Sequence, residues 1–125
     1  MERILLYVED TPGMPAAVAW ALRLAKGMSC RLFALSVISP DLPRRRDARA
    51  SDAEERAWSL LYEIEDDAFQ KNVRISLLLE TGEPLQELIK LSTSYDAELI
   101  IVSADCRLMV AELVRQSSRP VVFVK

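Results

Sequence analysis

Residues 97–125, AELIIVSADCRLMVAELVRQSSRPVVFVK, decide the fold. Leu99-Ile100-Ile101-Val102 is continuously apolar and bounded by polar residues, as a strand is when both of its faces are covered. Ser103-Ala104-Asp105 then turns the chain into a short helix, and Pro120 precedes a second apolar run, Val121-Val122-Phe123-Val124. Strand, turn, helix, strand is the repeating unit of an α/β fold. In open sheets of that kind, ligands sit beyond the carboxyl ends of the strands, where the winding reverses. Residues 103–106 are therefore the place to look for small-molecule chemistry.

Reading outward, the same unit recurs. Ile4 to Val8 is a first apolar strand, followed by the turn Glu9-Asp10-Thr11-Pro12-Gly13. Pro15 suits the first turn of a helix and Gly27 its C-terminal cap. Ala17, Val18, Ala21, Leu22 and Ala25 share one face of that helix, with Trp20 at the margin. Arg31 to Ile38 is a second strand. The prolines and the run Arg44-Arg45-Arg46 make 39–50 a solvated loop. Ser51, with Glu54 three residues on, predicts a capping box and a helix whose stripe is Ala57, Leu61, Ile64 and Ala68, widened by Trp58, Leu60 and Phe69. Glu63, Glu65, Asp66 and Asp67 fall mostly off that stripe and face water. Val73 to Glu80 is a third strand, and Pro84 starts a third helix buried through Leu85, Leu88, Ile89 and Ser92. The order β-α-β-α-β-α-β-α-β predicts a five-stranded parallel sheet with right-handed crossovers and helices on both faces, a three-layer sandwich. No internal repeat or linker divides the chain, so 1–125 reads as one domain.

Composition narrows the function. Half of the residues are hydrophobic, and the net charge of −3 gives no electrostatic reason to bind nucleic acid or anionic membrane. No apolar run approaches a membrane span, and Met1-Glu2-Arg3 leads straight into a strand, so the expectation is a cytoplasmic protein. Cys30 and Cys106 make no metal spacing and read as reduced, structural thiols. Histidine is absent, which removes the commonest general base and zinc ligand. Ser36, Ser39, Ser92 and Ser103 lack a histidine partner and no G-x-S-x-G elbow occurs, so no catalytic residue is assigned and an enzyme is not expected. Glu9, Asp10 and Asp105 converge on one crevice if strands one and four are neighbours. Three carboxylates suit Mg²⁺ or Ca²⁺, but each also suits its local place as turn acid or helix cap, and no metal is assigned.

The opening RILLYVED, the first helix ending LRLAKG, the segment TGEPLQELIKLSTSYDAELIIVS and the closing RPVVFVK together resemble the universal stress protein family over the whole chain. The most specific part is Gly82-Glu83-Pro84 opening helix three, then Ala97-Glu98 before strand four. The resemblance implies a Rossmann-like, adenine nucleotide alpha hydrolase-like sheet of order 3-2-1-4-5 and a role in stress response. It also implies a homodimer through the fifth strand, Val121 to Val124, with any other protein partner unknown. Many members bind ATP. Carried over, the ribose acid is Glu9 or Asp10: helix register favours Glu9, chemistry favours Asp10. Val37 takes the adenine position, and Ser103 stands where the first glycine of the phosphate loop belongs.

That loop is missing. The last glycine is Gly82, and sixteen residues separate Ser103 from Pro120, too few for the family's long loop and its helix. A phosphate cradle needs inward backbone N–H groups, which usually needs glycine. Asp105 reads as the N-cap of a helix at Arg107, filling the site an anion would use. The expectation is a dimeric stress-response interaction module with weak or no ATP binding and no obligatory cofactor. One alternative is an adenine-nucleotide (ATP or AMP) binder with a non-standard loop. The other is a receiver-like or divalent-metal-binding signalling domain, suggested by the acidic pair Glu9-Asp10 after the first strand. The exposed apolar edge at Val121 to Val124 argues for pairing with its copy across a two-fold axis.

Overall fold

The computed structural model describes residues 1–40 and 48–125. Five strands, β1 (Arg3–Tyr7), β2 (Arg31–Ile38), β3 (Ile75–Thr81), β4 (Leu99–Ser103) and β5 (Val121–Val124), form one sheet of order β3-β2-β1-β4-β5. Every neighbouring pair is parallel. Four helices connect them: α1 (Met14–Gly27), α2 (Ala48–Gln70), α3 (Pro84–Ser94) and α4 (Val110–Gln116).

Both faces of the central strands are covered, and the two-residue alternation divides their side chains between two cores. Ile4, Leu6, Leu99 and Ile101 pack with Ala17 and Leu22 of α1 and Leu61 and Ile64 of α2. Leu5, Tyr7, Ile100 and Val102 pack on the other side with Leu85 and Leu88 of α3 and Leu113 of α4. A strand buried on both faces needs no polar alternation, which is why the run 99–102 is continuously apolar. Each of the leucine, isoleucine and valine side chains among them contributes about 1.5–3 kcal/mol by leaving water.

The strand order excludes the receiver-like alternative, whose sheet runs 2-1-3-4-5. Here β1 pairs β2 and β4, with Leu5 opposite Phe33 and Ile100, and β3 lies at the far edge.

The buried face of α1 is as expected, with Met14 added. Gly27 ends α1 but does not adopt a left-handed cap; that conformation falls on Ser29 (φ 53°) instead. α2 begins at Ala48, three residues before Ser51, so Ser51 does not open the helix. Phe69 is 82% exposed and leaves the buried stripe, because Leu61, Ile64 and Ala68 already fill the contact with the sheet. Arg44, Arg45 and Arg46 lie outside the described residues. Glu83 is a cap the sequence reading missed: its carboxylate accepts the Gln86 N–H at 2.7 Å, ahead of Pro84 in the first turn of α3.

Candidate functional site

β1 lies between β2 and β4, so the connections after β1 and β4 leave to opposite faces and a crevice opens between them. Its volume is about 600 Å³, inside the range of roughly 300–1,000 Å³ usual for small-molecule sites. Val8, Val37, Leu60, Leu85 and Leu108 give it apolar walls. Glu9, Asp10 and Glu83 are its acidic lining residues, and Arg56 and Arg107 its basic ones.

Two loops meet at the switch point through their own carboxylates. Gly13, the N-cap residue of α1, donates its N–H to Asp105 Oδ2 at 2.8 Å. Thr11 Oγ1 donates to Asp105 Oδ1 at 2.8 Å, and the Ser103 hydroxyl donates to the same oxygen. In the other direction, the Arg107 N–H donates to both carboxylate oxygens of Glu9 at 3.1 Å. Each loop thus caps an amide of the other.

This corrects one reading directly. Asp105 does not cap the helix that follows it. α4 starts only at Val110, with Met109 at its N-cap and no side-chain cap bond. The Asp105 carboxylate turns back across β1 and caps α1, where three donors converge on it. A helix N-terminus favours negative charge, and α1 carries no acid in its own first turn.

The fit at α1 is close. A Cβ on Gly13 would stand 2.5 Å from Ser103 Oγ and 2.7 Å from Asp105 Oδ1. Glycine at 13 therefore permits the approach of the carboxylate rather than a left-handed backbone, its φ being −81°.

Electrostatics follow the contacts. The Ser103 hydroxyl first, and the Thr11 hydroxyl second, hold the Asp105 carboxyl below its ordinary value, with the Gly13 N–H adding to them. Burial above all, then the neighbouring Glu9 carboxylate and a hydrogen bond to it, push the Tyr7 phenol far up. The half-buried Cys106 thiol is raised by burial, with Glu9 and Asp105 contributing. Cys30 and Cys106 are both free thiols.

The structure brings Glu9, Asp10 and Val37 into the crevice lining. Ser103, 2% exposed at the end of β4, is spent on Asp105. Among the described residues no group of three or more acids, cysteines or histidines is arranged to hold a metal ion. Glu9 and Asp105 face backbone amides instead of each other. Thr11, Gly13, Arg56 and Arg107 were not singled out as site residues from sequence, and Glu83 only within the Gly82-Glu83-Pro84 signature that opens α3; of the first four, Gly13 in a Thr-Pro-Gly turn carried the visible signal. The opposite margin of the sheet ends in β5, whose Val121, Val122 and Phe123 are half-buried, and Val114 on α4 is exposed. No helix among the described residues is long and apolar enough to cross a membrane.

Comparison with known proteins gives concordant findings. A sequence model of the Universal stress protein family matches residues 1–125. A universal stress protein of Helicobacter pylori (strain 26695) is 28% identical over 135 residues, covering 98% of each chain. Among solved structures, a universal stress protein family member from Burkholderia pseudomallei superposes with a TM-score of 0.84 at 20% identity, covering 98% of this chain and 95% of its own. The universal stress protein from Archaeoglobus fulgidus in complex with dAMP superposes with a TM-score of 0.80 at 15% identity, covering 100% and 98%.

Proposed function

Because this chain belongs to the universal stress protein family, matched over residues 1–125, we propose that it acts in the cytoplasm as a homodimeric stress-response binding module without tight ATP binding. One observation carries the reading. The amides at the switch point, Gly13 N–H and Arg107 N–H, are both taken by the chain's own carboxylates. A polyphosphate needs such N–H groups free. It would also meet Glu9, Asp10 and Asp105 at close range, where like charges repel. The segment from Ala104 to Met109 has no glycine with which to turn further amides inward. No catalytic residue is assigned. Calorimetric titration with Mg-ATP is expected to give no saturation below millimolar concentration, and a low-micromolar dissociation constant would overturn the reading.

Dimerisation is the second half of the proposal. β5 is an edge strand, and its outer backbone groups form a template for another strand. A second copy across a two-fold axis satisfies both edges at once. Light scattering at micromolar concentration is expected to give twice the chain mass; a single-chain mass would refute it.

A second reading is an adenine-nucleotide binder with a non-standard loop. It is favoured by the crevice itself, and by the basic residues Arg56 and Arg107 among those that line it. A relative of the same fold was solved with dAMP. In this reading Asp10 or Glu9 holds the ribose, Val37 meets the adenine, and Ser103 stands by the phosphates. A thermal-shift rise with AMP larger than that with adenosine supports it.

A further inference from the structure

We propose that the outer edge of β3, beside the aromatic flank of α2, is a docking site for an extended, basic segment of another protein, which adds to the sheet as a further strand.

β3 is the longer of the two edge strands, seven residues against four for β5, and its register with β2 runs unbroken from Ile75 to Thr81. The Leu32 N–H donates to the Arg74 carbonyl and the Gly82 N–H to the Ile38 carbonyl, so the even-numbered residues turn their backbone groups towards β2. The backbone groups of Ile75, Leu77, Leu79 and Thr81 therefore point outward, where no further strand pairs with them among the described residues. Lysine, proline and bulges, by which natural sheets protect an open margin, are all absent from this strand.

The side chains beside that edge add a second signal. α2 packs on β2 and β3. One of its flanks, with Ala53, Arg56, Ala57 and Leu60, lines the crevice. On the opposite flank, spacings of three, four and seven bring Trp58, Tyr62 and Phe69 together with Glu55, Glu65 and Asp66. Trp58 packs in the same core as Ile75, Leu77 and Leu79, which ties this flank to the β3 margin. Its ring stacks on Tyr62 at 5.6 Å, yet Tyr62 is 53% and Phe69 82% exposed. In strand addition, outward backbone groups supply affinity and neighbouring side chains supply selectivity, and both are present here.

Charge selects the occupant. Glu55, Glu65, Asp66 and, on β3 itself, Glu80 form no ion pair among the described residues. The basic residues around the margin are turned elsewhere. Arg74 donates to the Ser29 carbonyl at 3.3 Å, and Arg31 to Ser76 Oγ at 3.2 Å on the α3 side of the sheet. Lys71 lines a groove against α1. A second copy would set the same acids against each other across a two-fold axis, whereas lysine or arginine side chains complement them.

The test titrates a fluorescein-labelled peptide of alternating lysine and valine, matched in length to β3, against the intact protein by fluorescence anisotropy. Saturable binding below millimolar concentration is expected, at least tenfold tighter than for the same peptide with glutamate in place of lysine. Tyr62→Ser with Phe69→Ser, and separately Glu65→Lys with Asp66→Lys, are each expected to weaken it fivefold or more; all four side chains are exposed, so the fold is retained. Amide hydrogen exchange followed by NMR reads the geometry, and saturating peptide is expected to slow the Leu77 and Leu79 amides tenfold or more. The proposal is overturned by the lack of saturable binding, by equal affinity for the two peptides, by an affinity that either pair of substitutions leaves unmoved, or by unchanged exchange at Leu77 and Leu79. A light-scattering mass that falls in the Tyr62→Ser, Phe69→Ser variant gives the edge to a second copy and likewise overturns it.

Discussion

Gly13→Ala tests the meeting of the two loops most sharply, because local rules leave its effect near zero and the cross-loop contact does not. The backbone at Gly13 is right-handed helical, at φ −81° and ψ −9°, so alanine is allowed there without strain. Replacing glycine at a compatible position stabilises by about 0.4–1 kcal/mol through the unfolded chain. Alanine is a poorer N-cap than glycine by a comparable amount, so these two effects nearly cancel. What remains is the new methyl, whose carbon would stand 2.5 Å from Ser103 Oγ and 2.7 Å from Asp105 Oδ1. Neither oxygen moves freely, since both belong to the hydrogen bonds that hold the loops together. Overpacking a filled site costs about 1–3 kcal/mol, and that is the net destabilisation expected for Gly13→Ala. In a Ser103→Ala, Asp105→Ala background the methyl has room, and the same substitution is expected to change stability by less than about 0.5 kcal/mol. Urea denaturation followed by tryptophan fluorescence of Trp20 and Trp58, at one fixed protein concentration, reads both values. Equal effects in the two backgrounds would refute the cross-loop contact. So would a stabilised Gly13→Ala in the otherwise native chain.

Other outcomes follow from the same geometry. The Asp105 carboxyl is held below its ordinary value of 3.8, so the stability it contributes is present above that pH and lost as pH falls towards the lower folded value. The difference in urea midpoint between wild type and Asp105→Asn is therefore expected to be flat above about pH 5 and to close in more acid solution. The Cys106 thiol, raised above 9.0, is expected to alkylate more slowly than a free thiol at pH 8, and Cys30, 2% exposed, more slowly still; mass spectrometry of a timed reaction gives the order. Leu88→Ala removes a fully buried side chain from the α3 face and is expected to cost about 2–5 kcal/mol in a melt or urea titration.

The sequence displayed the sheet and hid the joint. Strands such as Leu99 to Val102 announce themselves because two covered faces demand an unbroken apolar run, and the helix faces of α1 and α3 because burial repeats at helical spacing. The strand order rests on the family resemblance and is borne out by the pairing of β1 with β4. The crevice acids Glu9 and Asp10 and the apolar Val37 were legible for the same reason. The partner of Asp105 was not. Local rules place a carboxylate at the start of its own helix, but α1 lies 92 positions back in the sequence and offers a better N-terminus, a hydroxyl and an approach free of Cβ. Contacts of that separation leave no periodic mark. Glu83 was hidden for a different reason: Pro84 signalled the helix, and the residue before it was credited to the turn.

The position of β1 has a consequence for biosynthesis. Of the five strands it is the first to leave the ribosome, yet it is the middle of the finished sheet, and Ile4 meets Leu99 only 95 residues later in the paired register. At translation rates of roughly 5–20 residues per second, one flank of β1 stays without its neighbour for about 5–20 seconds. Through that interval the nascent chain carries an open apolar border at Ile4 to Leu6, and arrested chains ending before Leu99 are where holdase crosslinks to that border belong.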